Sequence, residues 1–140
     1  MKKLFSLAVS ATVGLGLVWL FINAGVGFLS LLFDKNSCED GVLKEVKFIA
    51  GFRRGMLHSI YYTPSFIDGE FVVSSAFPTH HIIVSTEKQK DGTFKIKFVK
   101  TGNRTYEKTL REHPEILKQA EEILELGRKK FAEVQATACK

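Results

Sequence analysis

A chain of 140 residues with 20 Lys and Arg against 15 Asp and Glu, net charge +5, and two cysteines sets narrow limits. Once the apolar run near its start is set aside, about a hundred residues remain, enough for one modest core and too few for two domains. None of the four histidines or two cysteines falls at zinc-ligand spacing, which argues against a metal cluster.

Residues 4 to 33, LFSLAVSATVGLGLVWLFINAGVGFLSLLF, carry no charge. A bilayer-spanning helix needs about 20 such residues, because in hydrocarbon every backbone N–H and C=O must be satisfied within the segment. A cleaved signal peptide has an apolar stretch of only about 7 to 15 residues and a small-residue cleavage site. This run is roughly twice that length, and Ile22 stands where the candidate site ending at Ala24 prefers a small residue. An uncleaved signal anchor over 4–33 is therefore predicted. Thirty helical residues would measure about 45 Å against a hydrocarbon core of about 30 Å, so a tilt, or a kink at 23–27, is expected. Ser6, Ser10 and Gly14 recur at four-residue spacing and form a candidate helix-pairing face, which suggests a homo-oligomer through this helix.

Lys2 and Lys3 before the apolar run favour a short cytoplasmic tail at 1–3, with the rest exported. Lys35, Lys44, Lys47, Arg53 and Arg54 on the other flank compete with that orientation. The cysteines lean towards export, since Cys38 and Cys139 could tie the two ends of an exported domain together as a disulfide. The predicted address is the cytoplasmic (inner) membrane, single-pass, with the soluble domain periplasmic or extracellular.

Residues 34–41, DKNSCEDG, read as a linker and 42–140 as the soluble domain. VLKEVKFIAGF fits helical and strand periodicity alike, and a short helix is expected there. Downstream, LHSIYY, EFVVSSAF, HHIIVST and TFKIKFV are separated by turn signals at Pro64, Asp68-Gly69, Pro78 and Asp91-Gly92, which predicts a four-stranded antiparallel meander. In its last hairpin, a three-residue loop Lys90-Asp91-Gly92 sets Val84, Thr86 and Lys88 opposite Phe98, Ile96 and Phe94, keeping polar groups off the phenylalanine face. From about 110 to 135, Ile116, Ala120, Ile123, Leu124, Gly127, Phe131 and Val134 recur at helical spacing. Thr109 to Glu112 has the form of a capping box, and Pro114 suits a first turn. The fold class is α+β: one transmembrane helix, then a small β-meander packed by a C-terminal amphipathic helix.

Motifs of chemistry are scarce. His80 and His81 are adjacent on a strand and point to opposite faces, so they cannot easily share one metal. Nothing resembles a nucleophile elbow, a phosphate-cradling glycine loop or a dinucleotide fingerprint. Asp68, Glu70, Glu87 and Asp91 fall mostly at turns and read as solvated. No catalytic residue, cofactor or metal is assigned, and the chain is not expected to be an enzyme; a small envelope enzyme is the last alternative.

Charge says more, because residues 44 to 111 hold twelve Lys and Arg against six Asp and Glu. Lys88, Lys95, Lys97, Lys100, Arg104, Lys108 and Arg111 form a candidate basic patch, and Arg53, Arg54, Tyr61 and Tyr62 a candidate interface. The expected role is a membrane-anchored, non-catalytic binding or regulatory module at the outer face of the membrane. Its partners would be membrane or envelope proteins and membrane lipid. A cytoplasm-facing domain binding anionic lipid or nucleic acid is the alternative, with nucleic acid the least expected partner.

Overall fold

The computed structural model describes residues 2–53, 56–65, 67–76 and 80–139, the side chains of residues 2, 4–8, 52, 53 and 80 excepted. The chain divides into two compact units, Met1–Leu32 and Phe33–Lys140.

The first unit is one helix, α1 (Lys2–Phe33), continuous through 23–27 where a kink was an alternative to tilt. Its polar side chains bond within the helix: Asn23 Nδ2 donates to the Trp19 carbonyl at 2.8 Å and Thr12 Oγ1 to that of Val9 at 2.9 Å. Such internal bonds let polar groups enter a medium that offers no water. Val9–Phe33, 25 residues, is long and apolar enough to cross a membrane. At about 37 Å it is long enough for a hydrocarbon core of about 30 Å with moderate tilt. Ser10 and Gly14 of the pairing stripe lie four residues apart on it, while the Ser6 side chain falls outside the described residues.

Among the described residues the second unit contains seven strands rather than four: β1 (Lys35–Glu39), β2 (Val42–Arg53), β3 (Met56–Thr63), β4 (Phe71–Ala76), β5 (His80–Lys88), β6 (Phe94–Thr101) and β7 (Arg104–Tyr106). They pair antiparallel in sequence order, a pure meander. A 3-10 turn at Leu110–Glu112 leads into α2 (Pro114–Gln135), which packs across the face of the sheet from β2 to β6. The expected strands correspond to β3 through β6. The expected short helix at VLKEVKFIAGF is instead β2, because Leu43, Val46 and Phe48 all bury against α2, with a bulge at Lys44 that resets the alternation. Residues 35–39 of the expected linker pair with β2 as an edge strand. The capping box does not form: Thr109 makes no side-chain cap bond, and α2 begins with Pro114 at its first turn.

The core lies between the inner sheet face and α2. Val46, Ile60, Val72, Val84 and Val99, one from each of β2 to β6, are fully buried, and Ala120, Leu124 and Val134 meet them from the helix. Each such side chain contributes about 1.5–3 kcal/mol when fully buried. In the β5–β6 hairpin, Gln89 pairs with Thr93, Gly92 has φ 84°, and Thr86 and Lys88 face Ile96 and Phe94, as the three-residue loop requires. Beyond Ile96 the register shifts, so Val84 meets Val99 and Ser85 meets Phe98. That bulge moves Phe98 off the face it was expected to share with Phe94 and Ile96 and puts the fully buried Val99 there instead.

Cys38 on β1 is bonded to Cys139 beyond α2, 101 residues away, with Cα atoms 5.9 Å apart. A disulfide here points to an oxidising compartment.

Candidate binding cleft

The helix α2 packs most extensively on β2 and least on β5 and β6, and a cleft of about 910 Å³ opens between it and that part of the sheet. Its apolar walls are Phe94 and Ile96 of β6, Leu110 of the 3-10 turn, and Leu117 and Leu124 of α2. Five cations, Lys95, Lys97, Lys108, Arg111 and Arg128, and four anions, Glu87, Glu107, Glu121 and Glu125, surround them. A concave site of a few hundred to about 1,000 Å³ with apolar walls and a few placed polar groups is the usual form of a ligand pocket. Phe94, 42% exposed, offers an uncovered aromatic edge to the cleft.

One polar group of the cleft, Arg128, is held rigidly by the buried Glu70. Glu70 precedes β4, its backbone N–H donating to Thr86 Oγ1 at 2.7 Å and its carbonyl accepting from Thr86 N–H at 2.9 Å. These bonds lay residue 70 against β5 and aim its carboxylate into the layer between sheet and helix. There Arg128 of α2 grips it with two parallel bonds, Nε to Oε1 at 2.8 Å and Nη2 to Oε2 at 2.7 Å. The Tyr62 hydroxyl donates to Oε1 at 2.7 Å. Burial by itself would raise the Glu70 pKa; the bonds from Arg128, Tyr62 and Thr86 outweigh it and hold the carboxyl below the ordinary glutamate range. The same contact raises Arg128 further. Tyr62 is pushed well above the ordinary phenol value, first by burial and then by its bond to Glu70. Among the described residues, no buried side-chain polar atom lacks a hydrogen-bond partner.

Tyr62 is itself fixed from two sides. Its ring meets Phe131 edge-on at 5.6 Å, and Gly127 of α2 lies directly against it, where a Cβ would come within 2.6 Å of Cδ2. Glycine at 127 is what allows α2 to descend this close to β3, and that descent brings Arg128 within reach of Glu70.

The structure redistributes the residues singled out by sequence. Lys95, Lys97, Lys108 and Arg111 line the cleft, whereas Lys88, Lys100 and Arg104 do not. Lys100 pairs with Ile83, on the sheet face turned away from the core. Four of the seven cations thus share the cleft with four glutamates. Tyr61 and Tyr62 project to opposite faces. Tyr62 is 3% exposed and belongs to the core, which removes it from the candidate interface. Tyr61 bonds Glu45 on the open face, and that bond pushes its pKa up to about 12. Of the same cluster, Arg54 and the Arg53 side chain lie outside the described residues, as does the His80 side chain.

Glu70 and Arg128 were missed by sequence reading, where Glu70 looked like a solvated turn residue and Arg128 was not singled out as a site residue. The available signal was a carboxylate directly before an apolar strand, facing a helix position on the same stripe as Leu124 and Phe131. Ser75 and His81, paired across β4 and β5, come within 2.8 Å through Oγ and Nδ1. Among the described residues no carboxylate bonds that imidazole, so the orienting member of a hydrolytic triad is not in place. Nor do three His, Cys, Asp or Glu side chains among the described residues gather where they could hold a metal ion.

Comparison with protein-family models, with curated proteins and with solved structures finds no match.

Proposed function

We propose that this chain is a membrane-tethered, non-catalytic binding module, acting at the outer face of the cytoplasmic membrane through protein contacts made by the cleft between β6 and α2. The observation that carries the reading is the cleft itself: apolar walls, a rim of both charge signs and a guanidinium immobilised at one end. That combination suits recognition of a partner rather than bond-making, because its charged groups are paired or solvated instead of poised as acid and base. Support for the outer face comes from the Cys38–Cys139 bond, and support for the tether from Val9–Phe33. Confinement beside a bilayer raises effective concentration against other membrane components, so a modest interface suffices.

A cytoplasmic domain that docks on anionic lipid or nucleic acid has less behind it, since four glutamates stand among the five cations of the cleft. The test is a photo-reactive residue in place of Lys95 or Glu121 in the full chain, irradiated in native membranes. Protein adducts from these positions, and none from the exposed helix position Lys118, are expected. Adducts with lipid alone, or none at all, would sink the proposal.

A further inference from the structure

We infer that the cleft captures the C-terminal segment of a partner protein, the terminal carboxylate on Arg128 and the last apolar side chain among Phe94, Ile96, Leu117 and Leu124. This rests on the reading of the cleft as the binding element. A guanidinium carries five N–H groups in a planar fork, and two of its edges each present a parallel pair. Glu70 occupies the edge made by Nε and one terminal nitrogen. Glu70 is the one carboxylate among the described residues that hydrogen-bonds this guanidinium; Glu125, on the cleft wall, acts on it through charge alone. The Arg128 side chain is 42% accessible while that of Glu70 is 5%, so the arginine is the partner of this pair that solvent and a ligand can reach. Arg128 lines the cleft and Glu70 does not.

Two parallel N–H groups match the two oxygens of a carboxylate. Because Glu70 already holds the guanidinium in place, the rotamer freedom that an unconstrained arginine loses on binding is lost here at folding.

Length and charge then choose among carboxylates. Leu117, Glu121, Leu124 and Arg128 form one stripe along α2, eleven residue steps from end to end, and all line the cleft. That stripe is about 16 Å long, the length of about five residues of extended chain. An acyl chain ending in a carboxylate would satisfy Arg128 and the apolar walls, yet would leave four glutamates and four further cations on the rim without counterparts. A polypeptide supplies amides and side chains of both signs upstream of its single terminal carboxylate. Capture of a C-terminal carboxylate is an established mode of peptide recognition, and here a side chain provides the donors.

The experiment uses the full chain, disulfide intact, in lipid nanodiscs, and selects from a library of random hexapeptides with free C-termini. Selected peptides should end in an apolar residue, and converting the terminal carboxylate to an amide should weaken each by about tenfold or more. The pair Glu70→Gln with Arg128→Gln, which removes both charges together, should erase the difference between acid and amide. Because that pair also supports the fold, Phe94→Ala serves as the second variant; it leaves the ion pair untouched and should weaken acid and amide forms alike. An empty selection, equal binding of acid and amide, or displacement of every selected peptide by palmitate in the disc overturns the inference, the last in favour of an acyl chain. If protein adducts still form from Lys95 in membranes, the binding-module reading survives that failure; if they do not, both fall.

Discussion

Replacing Gly127 by Ala should destabilise the soluble unit, although alanine is the better helix former. In an exposed helix interior the exchange would gain about 1 kcal/mol. Here the added methyl would stand 2.6 Å from Cδ2, 2.9 Å from Cγ and 3.1 Å from Cβ of Tyr62. The ring cannot step aside freely, being 3% exposed, edge-on to Phe131 and bonded through its hydroxyl to Glu70. Forcing a methylene into such a site costs about 1–3 kcal/mol, and loosening a bond to a charged acceptor costs about 1.5–3 kcal/mol more where the ring must swing out. Net of the propensity gain of about 1 kcal/mol, a loss of about 0–2 kcal/mol is expected where the ring holds its bond and about 1.5–5 kcal/mol where it swings out. Pulse proteolysis of the full chain across a urea series reads this as a fall of about 1 M in midpoint, given slopes of about 1–3 kcal/mol per M for a domain of this size. The sign should reverse when room is made: in a Tyr62→Leu background, Gly127→Ala should stabilise by up to about 1 kcal/mol. A rise in midpoint for the single variant, or equal effects in both backgrounds, would show that the close approach of α2 to β3 does not govern this position.

Reducing the Cys38–Cys139 bond, which closes a separation of 101 residues, should lower stability by about 4–5 kcal/mol in the chain-entropy model. Hydrogen exchange should accelerate first in β1, whose five residues are all exposed; uniform acceleration through β1 to β7 would contradict a local role for the bond. Folding raises the pKa of Tyr61 from 10.0 to about 12 and moves Tyr62 in the same direction, so their contribution is complete below pH 10 and declines as pH rises towards 12. Alkaline titration of the urea midpoint should therefore show a loss beginning near pH 10 that Tyr62→Phe reduces, and an unchanged slope in that variant would count against it. For Glu70 the folded pKa is lowered, so its contribution is present above the ordinary glutamate range and lost as pH falls through the depressed value; Glu70→Gln should flatten the acid limb of the same titration. Glu70→Ala, which also strands the buried Tyr62 hydroxyl, should cost about 2–3 kcal/mol at neutral pH, with Glu70→Gln milder because it keeps an acceptor for Tyr62.

Much of the architecture could be read from local pattern. The uncharged run at 4–33, the alternation within β3 to β6, the left-handed glycine of the β5–β6 loop and the apolar stripe of α2 are each written in contiguous residues, and backbone periodicity alone converts them into elements. The Cys38–Cys139 pair was legible because only one pairing exists for two cysteines. Beyond that, only the tertiary structure decided. β2 became a strand because its neighbours β1 and β3 satisfied its backbone, against a periodicity that also fitted a helix. One bulge opposite Ser85 and Thr86 sent Phe98 to the open face and Val99 to the core. Glu70 and Arg128 lie 58 residues apart, and nothing near either residue in the chain distinguishes a buried ion pair from two solvated charges. Their meeting depends on how far α2 descends onto the sheet, which Gly127 and Tyr62 set through packing. Sequence determined which elements form because each is stabilised by near neighbours. The cleft and its pinned arginine arise from distances between elements, and those exist only once the layers have packed.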